Sequence, residues 1–359
     1  MNEQKVSALF LTKYTRKGPS SRYRFLQYFP YLEAHGIRCV SSPLTDDPYL
    51  EHMFAHGRGS VIDIAKSIGR RIAALASVAR YDVAIIEYEL LPYFPASLET
   101  LVKKAGIPYI VNYDDAIFYR YSEHPNALVR RFLGNKIASV MRHADLVVAG
   151  NDYLAGYARK AGAPRVETLP TVVDIDRYPR TERAGGSTFR IGWIGSPSTS
   201  KYLNDIAPAL AGVCEGGRAK VVLIGASKVE LGTTPVEARP WSEETEVADL
   251  ASCDCGIMPL ADGLWERGKC GLKLIQYMAS GLPVVVSPVG ANKEIVEGGV
   301  DGFFAQSNDE WLRALTALRD DPGLRARMGM AGRRKVEARY TLQETAPRLA
   351  AFIADVAKK

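Results

Sequence analysis

The sequence predicts an α/β protein made of two Rossmann-like, doubly wound domains. Three observations carry that expectation. Short apolar runs rich in Val and Ile alternate with longer segments of helical periodicity along the whole chain. Several of these runs end in polar or glycine-containing loops, as parallel strands do before a crossover helix. A stretch of different composition, from Pro170 to Ser187, divides the alternation in two; it holds Pro179, the charged run from Arg177 to Arg183, and Gly185-Gly186. The expected organisation is an N-terminal domain over 1–172, a linker over 173–187, a second domain over 188–340 and a last helix over 341–359. A length of 359 residues suits two domains, each able to bury a core.

In the first half, residues 6–12 read as a strand and 13–22 as its loop. Ser20 or Ser21 caps the helix that follows, which carries Phe25, Tyr28, Phe29 and Leu32 and stops near Gly36. Strands are expected at 37–41, 83–87, 108–112, 145–149 and 166–169. Helices are expected at 61–78, 96–105, 128–142 and 153–161, with Asn151 capping the last. The strand at 108–112 runs into Tyr113-Asp114-Asp115. Two adjacent carboxylates at a strand's C-terminal end stand where open α/β sheets hold their ligands.

The second half repeats the pattern. The strand 190–194 ends at Gly195-Ser196, with Lys201 shortly after and a helix from Tyr202. The strand 221–224 ends at Gly225, and a helix over 243–251 precedes the most informative stretch. There, an apolar run from Cys253 is stopped by Pro259. A loop with Glu266, Arg267, Gly268 and Lys269 leads into a helix, and Gly281 ends it ahead of the strand 284–286. Lys269, Lys273, Gln276 and Ser280 share one stripe if that helix begins near Gly268. Helix N-termini behind glycine-rich loops attract anions, and Arg267, Lys269 and Lys273 add full charges. A diphosphate is the natural guest. A short helix at 294–297, a strand at 302–304 and helices at 310–319, 324–339 and 341–359 complete the chain.

Composition narrows the class. Apolar residues make up 47% and charged residues 24%, as in soluble globular proteins. The net charge of +6 is too modest to argue for nucleic acid and is compatible with anionic ligands. Five scattered cysteines do not form a secreted disulfide framework or a zinc motif. His52 and His56 lack an HExxH pattern, so no metal is expected. The polar N-terminus has no signal-type core, and no apolar run is long enough to span a bilayer. These features suggest a cytoplasmic protein; the basic helices 61–78 and 128–142 leave open a peripheral contact at the inner face of the membrane. No GxGxxG follows a strand and no Walker loop is present, which disfavours dinucleotide oxidoreductases and P-loop enzymes.

Several motifs together resemble the family 4 glycosyltransferases, in the glycosyl transferases group 1 with the GT-B fold. Ile194-Gly195 with Lys201 resembles the family's Gly-Arg-x-x-x-x-Lys loop. Asp254-Cys255-Gly256-Ile257-Met258-Pro259 resembles the strand before the donor loop. Gln276-Tyr277-Met278-Ala279-Ser280-Gly281-Leu282-Pro283-Val284-Val285 resembles Glu-Ala-Met-Ala-x-Gly-x-Pro-Val-Val. Ser287-x-x-Gly290 with Glu294-Ile295-Val296 and Gly302-Phe303 completes the set.

The resemblance implies two domains facing across a cleft. The C-terminal one would bind a UDP- or GDP-linked sugar, the N-terminal one a glycan or lipid-linked acceptor, and the last helix would cross back to the N-terminal domain. It implies a retaining, metal-independent hexosyl transfer with no cofactor. Gly195, Ser196, Lys201, Trp241, Glu266, Arg267, Gly268, Lys269, Lys273 and Gln276 would meet the donor, with Lys201 and Lys273 neutralising its diphosphate. Gly18, Ser20, Ser21, Arg22 and Arg24 would meet the acceptor, the two arginines suiting a phosphorylated one. Asp114 or Asp115 would address the acceptor hydroxyl. The chain departs from the pattern at Gly268 and Gln276, where the family has two glutamates, and at Ser196, where it has an arginine. Those losses raise a rival, a nucleotide-sugar-binding protein without catalysis. An epimerase of the same fold is a second.

Overall fold

The computed structural model describes residues 6–56, 61–179, 188–226 and 229–358. The chain forms two compact units. Unit 1 comprises Met1–Thr171, Arg267–Cys270 and Leu342–Lys359; unit 2 comprises Val172–Glu266 and Gly271–Thr341. The segment 180–187, the second half of the expected linker, lies outside the described residues.

Unit 1 holds a six-stranded, wholly parallel sheet. Its strands are β1 (Val6–Leu11), β2 (Ile37–Ser41), β3 (Val83–Glu87), β4 (Tyr109–Tyr113), β5 (Leu146–Ala149) and β6 (Val166–Thr168), in the order β2-β1-β3-β4-β5-β6. The central strands β3, β4 and β5 are buried along their whole length. That is why they read as continuous apolar runs rather than as alternation. The chain reverses direction across the sheet between β1 and β3, which makes their carboxyl ends the switch point where open sheets take ligands. The final helix, Leu342–Val356, packs in this unit: the Tyr28 hydroxyl meets Thr345 Oγ1 at 2.9 Å, and Arg165 pairs with Asp355.

Unit 2 repeats the plan with β7 (Phe189–Ile194), β8 (Ala219–Ile224), β9 (Val236–Arg239), β10 (Cys255–Met258), β11 (Val284–Val286) and β12 (Gly302–Phe304). The order is β12-β11-β10-β7-β8-β9, again all parallel, with the switch point between β7 and β10. Its core is formed by side chains such as Ile191, Trp193, Leu223, Ile257, Trp311 and Leu315. Strand β9 has no counterpart in the sequence reading, because Val236–Arg239 is half polar and only half-buried at the sheet's edge.

Other differences have local causes. The segment after Ser196 is a 3-10 run, Pro197–Ile206, before an α-helix at Ala207–Cys214; Pro197 and Pro208 both withhold backbone donors. The expected basic helix at 128–142 is two helices, Ala127–Leu133 and Lys136–His143, broken at Gly134-Asn135. Helix Asn308–Asp320 starts with a capping box, Ser307 and Glu310 satisfying each other's backbone N–H groups. No helix among the described residues is long and apolar enough to cross a membrane.

Candidate active site

In unit 2 the ends of β7 and β10 are tied together by Tyr277. Its hydroxyl accepts from Ile194 N at 3.0 Å and donates to Ile257 O at 3.2 Å. Beside that tie lies Gly195. A Cβ there would come within 2.5 Å of Lys273 Nζ and 2.8 Å of the Trp193 ring, so only glycine leaves the ammonium its position over the backbone. Lys273 Nζ sits 4.2 Å from the Trp193 ring centroid and 3.4 Å from Thr199 Oγ1. The cation is thus held from below by a ring and a hydroxyl, at the mouth of the switch point. Lys201 is exposed, with Nζ 5.1 Å from the Tyr202 ring centroid. The ends of β8 and β9 extend the same edge: Gly225 N donates to Arg239 O, and Trp241 Nε1 donates to the buried Glu246 at 2.9 Å.

The helix after the loop of Glu266 to Lys269 is Leu272–Ala279, with Gly271 at its N-cap in the left-handed region at φ 68°. It therefore starts four residues later than the sequence suggests. The expected stripe of Lys269, Lys273, Gln276 and Ser280 does not form: Lys269 precedes the helix and Gln276 is only 3% exposed. Glu266, expected at the sugar, accepts a hydrogen bond from the Tyr202 hydroxyl.

Residues 267–270 belong to unit 1. Asn151 caps helix Asp152–Lys160 through Leu154 N. Its Nδ2 donates to the carbonyls of Gly268 and Lys269, both at 3.1 Å. A Cβ on Gly268 would lie 2.5 Å from Ala116 Cβ and 2.8 Å from its nitrogen. The residue aligned with a family glutamate thus stands where no side chain fits. Lys269 Nζ lies 3.4 Å from Asp115 Oδ1, which places this cation among unit 1 carboxylates rather than on a helix stripe. Arg267 is exposed.

The switch point of unit 1 is a hydroxyl–carboxylate cluster. Ser20 Oγ lies 3.0 Å from both Asp114 Oδ1 and the Tyr88 hydroxyl, and that hydroxyl also donates to Asp114. Ser21 Oγ and Lys13 N donate to Glu87 Oε2 at 2.5 and 2.6 Å. Tyr88 has φ 63°, a strained value for a residue with a side chain, and strain of this kind concentrates at functional sites. The turn bearing it is braced by Glu89, whose carboxylate is buried against Lys136 Nζ at 2.5 Å and the Tyr121 hydroxyl at 2.7 Å.

Electrostatics follow from burial. Desolvation raises the Glu87 carboxyl against the donors from Ser21 and Lys13, and the Asp114 charge adds to the rise. Desolvation also raises Asp115, opposed chiefly by Lys269. The Tyr88 hydroxyl is pushed well above its usual range by burial and then by Asp114.

Arg22 and Arg24, expected to meet an acceptor phosphate, are turned inward and are 3% and 2% exposed. Arg22 donates to Arg16 O; Arg24 donates to Asn112 Oδ1, Leu169 O and Thr171 Oγ1. They hold the loop and the strand ends together from inside the fold. Gly18 is buried against the Tyr14 side chain. Two cations of the expected membrane-facing helices are also internal: Arg71 donates to Thr12 O and Ser42 O, and Lys136 pairs with Glu89. Among the described residues no cluster of three or more His, Cys, Asp or Glu is placed to hold a metal.

Sequence reading missed Glu87, Tyr88 and Tyr277, and found Asn151 as a helix cap but not as the donor to the Gly268 and Lys269 carbonyls. Glu87 had a signal: it is the one carboxylate ending an otherwise apolar strand, Val83–Glu87. The left-handed Tyr88 had none.

Residues 188–321 match the family described as Glycosyl transferases group 1. Over 138 residues the chain is 31% identical to a D-inositol 3-phosphate glycosyltransferase of Streptomyces avermitilis, covering 37% of this chain and 29% of the relative. Over 85 residues it is 38% identical to a sucrose synthase of Acidithiobacillus caldus, covering 22% of this chain and 11% of the relative. The alignments thus span less than a third of either curated relative. The structure of the Anabaena protein HepE in complex with UDP and glucose superposes with a TM-score of 0.72 at 16% identity, over 98% of this chain and 100% of that one. That likeness shows the fold, which is GT-B.

Proposed function

We propose that the chain is a glycosyltransferase that moves a hexosyl group from a nucleotide-diphosphate sugar to an acceptor hydroxyl, with retention and without a metal. The observation that carries the reading is Lys273. It is an ammonium fixed over Gly195 at the switch point of a group 1 sheet, just inside the N-terminus of helix Leu272–Ala279. Positive groups fixed before the reaction stabilise the charge that builds on a leaving diphosphate without reorganising. Lys273 and Lys201 serve that role, together with the backbone N–H groups behind Gly271. Trp241 and the edge around Gly225 serve the nucleoside. The UDP of the Anabaena neighbour and the glycosyl transfer named for the curated relative support this assignment.

In the transfer, the bond from the sugar's anomeric carbon to the phosphate oxygen breaks. A bond from that carbon to the acceptor oxygen forms on the same face. The acceptor's proton ends on the departing diphosphate. Asp114, positioned by Ser20 and Tyr88, orients the acceptor hydroxyl through a hydrogen bond. A panel of UDP- and GDP-sugars incubated with glycoside acceptors tests the reading, with the product's anomeric configuration read by NMR. A retained configuration is expected. Turnover of the sugar nucleotide with no acceptor present would indicate the epimerase instead.

The loss of both family glutamates favours a second reading, a sensor that binds the nucleotide sugar without transferring it. Gly268 has no room for a side chain, and Gln276 carries no charge. Nucleotide binding without transfer or donor hydrolysis would establish it.

A further inference from the structure

We propose that the acceptor end of unit 1 is built to take the hydroxyl groups of an uncharged sugar, not a phosphate. The inference rests on the glycosyl-transfer reading and specifies its acceptor.

The cations that would have met a phosphate are spent inside the fold. Arg22 and Arg24 are almost completely buried and donate to backbone carbonyls and to Asn112 and Thr171. What the carboxyl ends of β1, β3 and β4 present instead is Glu87, Asp114 and Asp115, against Lys13 and Lys269. Lys269 is already paired with Asp115. Lys13 Nζ lies over the rings of Tyr14 and Tyr88, at 4.9 and 5.5 Å. A phosphate among these carboxylates would meet like charge at short range.

A sugar hydroxyl fits the same groups. Ionised carboxylates only accept hydrogen bonds, whereas Ser and Tyr hydroxyls both donate and accept. A ligand hydroxyl can therefore donate to Asp114 and, where Ser20 turns its single O–H from Asp114 to the ligand, accept from Ser20. A second, independent observation points to a donor entering here. Glu87 is 2% exposed, and among the described residues its Oε1 has no hydrogen-bond partner, although Oε2 is bonded by Ser21 and Lys13. A buried carboxylate oxygen left without a donor is costly, and a ligand hydroxyl satisfies it.

The test is ligand-observed saturation-transfer NMR on the full chain, with no nucleotide present. The probes are methyl glucopyranoside, methyl galactopyranoside and methyl mannopyranoside, compared with the 6-phosphates of the same hexoses. The expected result is binding of at least one methyl glycoside, at least tenfold tighter than its phosphorylated counterpart. Asp114→Asn and, as a second variant, Ser20→Ala should each weaken it at least fivefold while melting near the parent temperature. Equal or tighter binding of the phosphates, no binding of any neutral glycoside, or no effect of either variant would overturn the proposal. Calorimetry with UDP and GDP on the same samples reads unit 2 separately. Failure of nucleotide binding would count against the glycosyl-transfer reading while leaving the sugar result legible.

Discussion

The two sheets share a plan and differ in what their carboxyl ends display. Both are six-stranded and parallel, and in both the chain reverses at an internal switch point. At that point unit 2 presents Gly195, Lys273 and a helix N-terminus; unit 1 has Glu87 and Asp114, wired to serine and tyrosine hydroxyls, and Asp115, paired with Lys269. The same architecture thus carries a fixed cation beside a glycine loop in one unit and hydroxyl-bonded carboxylates in the other. The difference lies in a few loop residues, as expected when function is grafted onto a common fold.

That contrast can be strained in five places. The largest effect is expected from Lys136→Met. It leaves the buried Glu89, beneath the turn that holds Tyr88, with only Arg120 at 3.4 Å and the Tyr121 hydroxyl, and breaking one side of a buried pair costs up to about 3–5 kcal/mol. Urea unfolding should show the loss. Gly268→Glu introduces the glutamate of the family that the motifs resemble but drives a Cβ into Ala116. We expect about 1–3 kcal/mol of destabilisation by overpacking and no gain in donor affinity, read by melting and calorimetry. Lys273→Met should spare the fold and weaken nucleotide-diphosphate binding by about 2 kcal/mol, roughly thirtyfold. Gly195→Ala should act in the same direction by displacing the ammonium it leaves in place.

The smallest effect is a pH slope. The folded chain holds the Glu87 proton more tightly than the unfolded chain, whose carboxyl titrates near 4.5. Stability contributed by this group is therefore greatest at low pH and falls as pH rises above about 4.5 through the raised folded value, by at most about 1.4 kcal/mol per pH unit. Glu87→Gln should flatten that part of the slope. Asp115 and Glu99 are also raised by burial and keep the remainder tilted the same way.

The fold was legible because burial on both faces leaves a plain mark. Val83–Glu87, Leu146–Ala149 and Val284–Val286 are apolar runs bounded by turns, and Gly281 ends its helix where a left-handed residue is needed, at φ 69°. The place of Lys273 in the first turn of its helix was legible too, from the glycines that precede it. The rest depended on contacts between residues distant in sequence. Lys269 and Lys273 look alike in the chain; one meets Asp115, 154 residues earlier, and the other meets Trp193 and Thr199. Arg24 looks like a surface cation until Asn112 and Thr171 close around it. Gly268 looks like a lost glutamate until the backbone of Ala116 is seen against it.

The central claim is that unit 2 binds a nucleotide diphosphate through Lys273. Isothermal calorimetry with UDP and GDP, comparing the parent chain with Lys273→Met at equal stability, tests it most directly. The account predicts saturable binding of at least one nucleotide by the parent and a loss of at least tenfold in the variant. Absence of binding to the parent, or equal affinity in both, would contradict it.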